Sequence, residues 1–206
     1  MRIPVEAHTL AELQTLTTPK NVAGGNMESL RDQIYDTQTY LAAGSATLNY
    51  FANPNADPTL SNLQQGGTMP DPEYFRIFYI QVDPIVLLTD AAVPTSWRDM
   101  ERLVRSGRPT LTLTLQGKSY GPWLVQSMHG TGGVDGYGYA AAAAATTAIQ
   151  YANNGPADGG FCVDGALWLT PKASFSARIN WGNPLAVAAD TLVRVTLDGV
   201  RYRAIR

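Results

Sequence analysis

The stretch YFRIFYIQVDPIVLL, residues 74–88, is dense in aromatic and β-branched side chains. This composition is typical of a buried β-strand, because such side chains pack well on a pleated surface. Proline cannot donate to a sheet ladder, so the strand is predicted to run as far as Pro84. We expect it to be a central strand of a sheet.

A helix and a hairpin are predicted next along the chain. TSWRDMERLVRSG, residues 95–107, places Ser96 and Asp99 near the spacing of a capping box. Its apolar side chains fall on one helical face and a glycine ends it: Trp97, Met100, Leu103, Val104 and then Gly107. TLTLTLQGKSYGPWLV, residues 110–125, alternates leucine with threonine before a Gly117-Lys118 turn, which predicts a half-buried hairpin.

The last segment, RVTLDGVRYRAIR, contains Asp198-Gly199, a strong signal for a two-residue hairpin turn. The predicted facing pairs are Leu197 with Val200, Val195 with Tyr202, and Arg194 with Arg203. The apolar face, predicted to join the core, is Val193, Val195, Leu197, Val200, Tyr202 and Ala204. The opposite face carries Arg194, Arg201 and Arg203. Facing like charges need water, an anion or acidic neighbours, so these arginines are candidates for contacts between subunits, with solvation and phosphate contact left open.

The remaining strand signals complete an all-β inventory. DTQTYLAAGSATLNYF, residues 36–51, predicts two short strands about Gly44, and GFCVDGALWLT, ASFSARINW and the closing hairpin predict four more. Helical patterns do not alternate with these eight or nine strands. The chain is therefore predicted to be an antiparallel β-sandwich, a single jelly roll with one or two short helices, rather than an α/β fold.

The amino-acid composition excludes several classes of protein. The 206 residues suffice for one domain, and 16% charged residues with a net charge of −2 argue against disorder and against bulk neutralisation of nucleic acid. Twelve arginines stand against three lysines, which favours fixed, planar ion pairs of the kind found at interfaces. The sequence shows neither a signal peptide nor an apolar run of membrane-spanning length, so we expect a soluble protein.

Two segments fall outside the predicted sandwich. Residues 1–25 are predicted to be an N-terminal arm before a domain of residues 26–206, and residues 129–160 are a long insertion in that domain. The insertion carries three tyrosines: Tyr137, Tyr139 and Tyr151. These either pack locally or reach a neighbouring subunit, which makes them candidate contact residues. The alanines at 140–145 favour a helix.

The sequence contains fragments of catalytic and cofactor-binding motifs, but the elements that must surround each motif are missing. GYGYAA, with Gly136, Gly138, Ala141 and the later Asp158, matches a dinucleotide-binding pattern, but no βαβ unit surrounds it. HGTGG at His129 looks like an oxyanion loop, yet the chain has no G-x-S-x-G elbow. Two histidines give no metal-ligand spacing, and Cys162 in an apolar strand is predicted to be a buried, inert thiol. We therefore predict no catalytic, cofactor or metal site.

Three segments in order carry a resemblance: QIYDTQTYLAAGSATLNYFANP, a spacer ending GGTMPDPEYFRIFYIQV, and LWLTPKASFSARINWGNPLAVAADTLVRVTLDGVRYR. This order resembles the jelly-roll major capsid proteins of tailless icosahedral bacteriophages over most of residues 30–206. The resemblance implies a subunit without catalysis that assembles into capsomers of a shell. Its partners would be other copies and other virion proteins, and its location the virion after synthesis in the host cytoplasm.

The main alternative is a carbohydrate-binding jelly roll or a tail-spike accessory module, which would use exposed Trp and Tyr beside Asp and Asn. Trp168 and Trp181 sit in alternating strands and are equally well explained as core residues. An enzyme ranks third because its motifs fail. No specific recognition of nucleic acid is expected, and contact with a membrane is left open.

Overall fold

The structure, a computed structural model, describes residues 27–53, 57–85, 102–128, 134–141, 148–154 and 160–204. The predicted arm of residues 1–25 lies outside the described residues. Within them the strands follow in chain order: β1 (Met27–Tyr40), β2 (Thr47–Tyr50), β3 (Tyr74–Ile85), β4 (Pro109–Leu115), β5 (Lys118–Leu124), β6 (Val134–Ala141), β7 (Ala148–Asn154), β8 (Phe161–Leu169), β9 (Phe175–Trp181) and β10 (Thr191–Ala204).

The strands form two four-stranded antiparallel sheets that share one hydrophobic core. Sheet A has the spatial order β1-β10-β3-β8 and sheet B the order β2-β9-β4-β5, while β6 and β7 pair as a separate two-stranded sheet. The prediction of an all-β antiparallel sandwich is confirmed. The central strand predicted from residues 74–84 is confirmed as well, since β3 lies between β10 and β8.

In sheet B, buried side chains alternate with less buried ones along β4 and β9, as the sequence pattern predicts. In β4 every leucine is buried and every threonine is half-buried, and β9 alternates in the same way. Leu115 pairs with Lys118 across a turn of Gln116 and Gly117, whose φ angles are 50° and 78°. Two positive φ angles are what a type I′ hairpin turn requires. The predicted hairpin is confirmed, with its turn one residue earlier than expected.

The predicted hairpin in the last segment is wrong. β10 is one continuous strand, and Gly199 in its middle pairs with β1 on one side and with Ile77 of β3 on the other. β3 carries a bulge at Phe78, and a Cβ on Gly199 would lie 1.9 Å from the carbonyl oxygen of Arg76. The glycine that signalled a turn is therefore required by the close approach of two strands.

The continuous strand divides the predicted apolar face. None of the three predicted facing pairs forms: Leu197 with Val200, Val195 with Tyr202, and Arg194 with Arg203. Val193, Val195 and Leu197 enter the core between the sheets. Val200 and Tyr202 are buried in a second cluster on the face of sheet A turned away from sheet B, called the outer face below. The side chain of Ala204 lies outside the described part.

The structure also changes the predicted number of strands and the predicted helix. The segment after the insertion supplies three strands rather than four, because β10 is undivided. The helix predicted over residues 95–107 is described only at Arg102–Ser106, where it is a π-helical turn with Leu103 and Val104 buried. A short 3-10 turn, Val125–Ser127, follows β5.

A buried carboxylate ties the corner between β1 and β2, the two strands predicted about Gly44. Asp36 is 1% exposed and accepts hydrogen bonds from the backbone N–H of Phe51 at 2.7 Å, from that of Thr37 at 3.0 Å and from Nε2 of Gln38 at 3.1 Å. Phe51 has a φ of 66°, a left-handed conformation that few residues other than glycine adopt. The carboxylate thus fixes an unusual backbone turn directly after β2.

The buried side chain of Tyr50 leads to a prediction about the free energy of unfolding. Its side chain is fully buried and its hydroxyl has no hydrogen-bond partner among the described residues. Burial, and then the charge of Asp36, raise the pKa of Tyr50 well above its ordinary value of 10.0. Replacing Tyr50 by phenylalanine removes an unsatisfied buried hydroxyl, so we expect the free energy of unfolding at pH 7 to stay level or to rise by about 1 kcal/mol.

The same change should alter the response to alkali. The unfolded tyrosine ionises near pH 10 while the folded one stays protonated, so this group removes stability from the wild type as the pH rises above about 10. Urea unfolding at pH 7 and at pH 11 measures both effects. The control is Tyr40→Phe, which loses a hydroxyl bonded to the Leu185 carbonyl at 2.9 Å and should cost about 1 kcal/mol. Equal losses in the two variants would contradict the prediction.

Candidate interaction surfaces

The three arginines of β10 do not share one face as predicted. Arg194 lies on the outer face and the other two lie on the opposite side of the strand, because side chains alternate along it. The guanidinium of Arg194 lies 4.8 Å from the ring centroid of Tyr35, its Nε donates to Oγ1 of Thr37 at 3.1 Å, and its Nη2 donates to the carbonyl oxygen of Thr59. Arg194 is thus engaged within its own chain.

Arg201 is held between two carboxylates. Its Nε lies 2.6 Å from Oδ2 of Asp32, a close charge contact without hydrogen-bond alignment, and its Nη1 donates to Oε2 of Glu73 at 2.9 Å. The Arg201 side chain is only 14% exposed. Arg203 is exposed and stands opposite Glu28 in the strand register. A role for the three arginines between subunits stays a prediction, and the contacts of Arg201 described here are intramolecular.

Replacing Arg201 by methionine should leave both carboxylates without their counter-charge. Because this ion pair is largely buried, we expect the free energy of unfolding to fall by about 2 kcal/mol. The control is Lys172→Met at the exposed pair of Lys172 with Asp71, which should cost less than about 0.5 kcal/mol. Chemical denaturation of both variants measures the difference, and two equally small losses would show that Arg201 has no structural role.

The predicted insertion contains the ribbon of β6 and β7. In its register Tyr137 pairs with Ala152, Tyr139 with Gln150, and Tyr151 with Gly138. The side chains of the three tyrosines lie outside the described part, so their contact role stays a prediction. Ala140 and Ala141 belong to β6, which makes the predicted alanine helix wrong where the chain is described. The glycines of the dinucleotide-binding pattern lie in the same strand, so they do not open a helix.

A cluster on the outer face was not predicted from the sequence. The guanidinium of Arg76 lies 4.8 Å from the ring centroid of Phe78 and 5.5 Å from that of Trp168, which in turn stacks on Tyr202 at 5.6 Å. Burial raises the pKa of Tyr202 and of Tyr74, although Arg76 opposes the shift at Tyr202. An arginine inside an apolar strand needs such partners. The position of Arg76 within the apolar sequence of β3 was therefore the signal from which this cluster could have been predicted.

A surface depression of about 360 Å³ lies beside β1, lined by Arg31, Asp32, Gln33, Tyr35 and Asn62. Its polar groups are engaged within the chain. Arg31 and Gln33 both donate to Oδ2 of Asp198 at 3.3 Å, and Oδ1 of Asn62 accepts from the backbone N–H of Tyr35 at 2.9 Å. The depression therefore offers room beside a strand edge rather than a set of free polar side chains.

The remaining residues that were selected from the sequence are Cys162, His129 and Asp158. Cys162 of β8 is partly exposed rather than buried as predicted. Within the described ranges, no cluster of three or more His, Cys, Asp or Glu side chains is placed to hold a metal ion. No helix among the described residues is long and apolar enough to cross a membrane. His129 and Asp158 lie outside the described residues.

Comparisons of the chain with known protein families, with curated proteins and with solved structures found no match. Support for a function therefore comes from the fold and its surfaces.

Proposed function

We propose that this protein is a structural subunit that self-assembles into capsomers of an icosahedral viral shell. The observation that carries the proposal is the nesting of the strand pairs. With the β6 and β7 ribbon set apart, β1 pairs with β10, β2 with β9, β3 with β8, and β4 with β5 as the innermost hairpin. This nesting of an antiparallel ribbon over two sheets supports the assignment of a jelly roll, an architecture of viral capsid and lectin domains.

The β6 and β7 ribbon supports a role in assembly. It lies between β5 and β8 in the chain, yet its described residues pair with neither four-stranded sheet. A two-stranded hairpin alone is marginally stable in water. Packing against a neighbouring copy would stabilise it, so the partners of this protein would be other copies and other virion proteins, and its location the virion.

The carbohydrate-binding alternative would need exposed aromatic rings beside free polar groups. Trp181 is 5% exposed and its Nε1 donates to the carbonyl oxygen of Leu103 at 2.9 Å, while Trp168 packs in the outer-face cluster. The one ring in the polar depression, that of Tyr35, is covered by Arg194. These contacts favour the shell subunit.

Sedimentation velocity and negative-stain electron microscopy of the purified chain test the proposal. We expect rings or closed shells whose sedimentation greatly exceeds that of a 22.2 kDa monomer. Small particles that bind glycans on an array would instead establish the carbohydrate-binding module. Monomers that bind no glycan would overturn both functions.

The insertion gives a sharper prediction for the same assay. Replacing residues 129–160 by a short Gly-Ser linker removes the β6 and β7 ribbon but none of the eight strands of sheets A and B. We expect the β-sheet circular dichroism per residue to be retained and the order of the oligomer to fall. Loss of the whole fold would show that the insertion belongs to the core.

A further inference from the structure

The sandwich has four sheet edges, and three of them are protected by their own strands. β2 has only four residues. β5 carries Lys118 and Pro122, two residues that discourage pairing at an edge. β8 is irregular, since its pairing with β3 jumps from Leu167 to Cys162. β1 differs from all three because it has fourteen residues and an unbroken register with β10.

The later part of the β1 edge is covered by residues 57–63 of its own chain. The side-chain amide of Asn62 accepts from the backbone N–H of Tyr35 at 2.9 Å and donates to the carbonyl oxygen of Gln33 at 2.6 Å. Backbone groups of alternate residues point to the same side of a strand. The outward groups of β1 are therefore those of its odd-numbered residues.

The earlier part of the same edge, called the open edge below, has no strand partner among the described residues. By this alternation the N–H and C=O groups of Met27, Ser29 and Arg31 point away from β10, and no described residue pairs with the outward groups of Ser29 and Arg31. Ser29 is exposed, Leu30 is 43% exposed and the Arg31 side chain is 71% exposed. The 360 Å³ depression adjoins this segment at Arg31. Such an edge is a template for pairing with another strand.

We propose that the open edge, residues 27–31, pairs with the same edge of a second copy, antiparallel about a two-fold axis at Ser29. In this register Ser29 faces the partner's Ser29, and Met27 faces the partner's Arg31, so every outward backbone group of the segment is paired. A two-fold interface requires such a self-complementary patch. The two copies then share one continuous eight-stranded sheet.

Two neighbouring registers, those with the axis at Leu30 or at Arg31, are less favourable. An axis at Leu30 would set the partner's Met27 against Gln33, whose carbonyl oxygen is already bonded to Asn62. An axis at Arg31 would set the two copies of Arg31 directly opposite each other, which is destabilising. The proposal rests on the self-assembly proposed above and names one of its contacts.

Proline and alanine at position 29 provide the first test. Ser29→Pro removes an outward N–H without removing a bond between β1 and β10, whereas Ser29→Ala keeps the N–H. We expect Ser29→Pro to weaken association at least about tenfold in sedimentation equilibrium, Ser29→Ala to leave it unchanged, and the melting temperatures of both to stay close to that of the wild type.

Cysteine cross-linking provides the second test. Opposed Cα atoms in a bonded antiparallel pair lie about 5.5 Å apart, within the span of a disulfide. Under mild oxidation Ser29→Cys should give a covalent dimer, and Ser119→Cys on the exposed edge of β5 should not. Particles formed equally by Ser29→Pro, or no Ser29→Cys dimer above the Ser119→Cys level, would overturn the edge contact and leave the shell subunit standing. A wild type that stays monomeric would overturn both.

Discussion

Replacing Gly199 by alanine is expected to cost the fold about 3 kcal/mol or more and to lower the melting temperature on the order of 10 °C. The added Cβ would lie 1.9 Å from the carbonyl oxygen of Arg76 and 3.1 Å from Cε1 of Phe75. The nearer of these atoms belongs to the backbone of β3, so no side-chain rotation can relieve the contact. β10 would have to separate from β3 at the middle of sheet A.

The control for this change is Gly182→Ala. A Cβ there meets only the carbonyl oxygen of Arg108 at 3.9 Å, an ordinary contact, so we expect a change within about 0.5 kcal/mol. Thermal and urea unfolding of the two variants give the comparison. A Gly199→Ala protein as stable as Gly182→Ala would restore the interpretation of Asp198-Gly199 as a turn.

Replacing Asp36 by alanine is expected to lower the free energy of unfolding by about 3 kcal/mol. The carboxylate receives charge-assisted hydrogen bonds, and its loss leaves the N–H of Phe51 buried without an acceptor. Phe51 would then lose a contact that holds its backbone at positive φ. Asp36→Asn keeps one carbonyl oxygen as an acceptor, so its loss should be intermediate.

Asp190→Ala is the matched control for Asp36→Ala. Oδ1 of Asp190 accepts from the backbone N–H of Ala42 at 2.8 Å, but this bond is exposed and water can replace it. We expect a loss of about 1 kcal/mol or less, measured by urea unfolding at pH 7. If the two alanine variants lose the same stability, burial adds nothing to the contact of Asp36.

Local sequence patterns were sufficient to predict β3 and β4. The leucine and threonine alternation of β4 and the apolar run of β3 report burial directly, because each strand pattern depends on which face meets the core. The Asp198-Gly199 signal failed because the reason for that glycine is a bulge in β3, far away in the chain. No local pattern encodes the approach of two distant strands.

For the candidate contact residues too, local sequence predicted some features, while others depend on distant parts of the chain. Arg194, Arg201 and Arg203 were selected from the sequence, but their faces were assigned through a turn that does not exist. The outer-face cluster and the buried Asp36 were missed, since their partners come from strands on other parts of the chain. The open edge of β1 could not be predicted, because the coverage of its later part depends on where Asn62 is placed.

The position of β10 also governs when the protein can fold. This strand is synthesised after the nine other described strands, yet it lies inside sheet A between β1 and β3. Contacts between strands so distant in sequence close slowly, and until they close β1 and β3 expose unpaired flanks in the nascent chain. A chain released before residue 191 therefore lacks the strand that joins β1 to β3 in sheet A. Under the proposed function, prematurely terminated products would be kept out of growing particles by the topology itself.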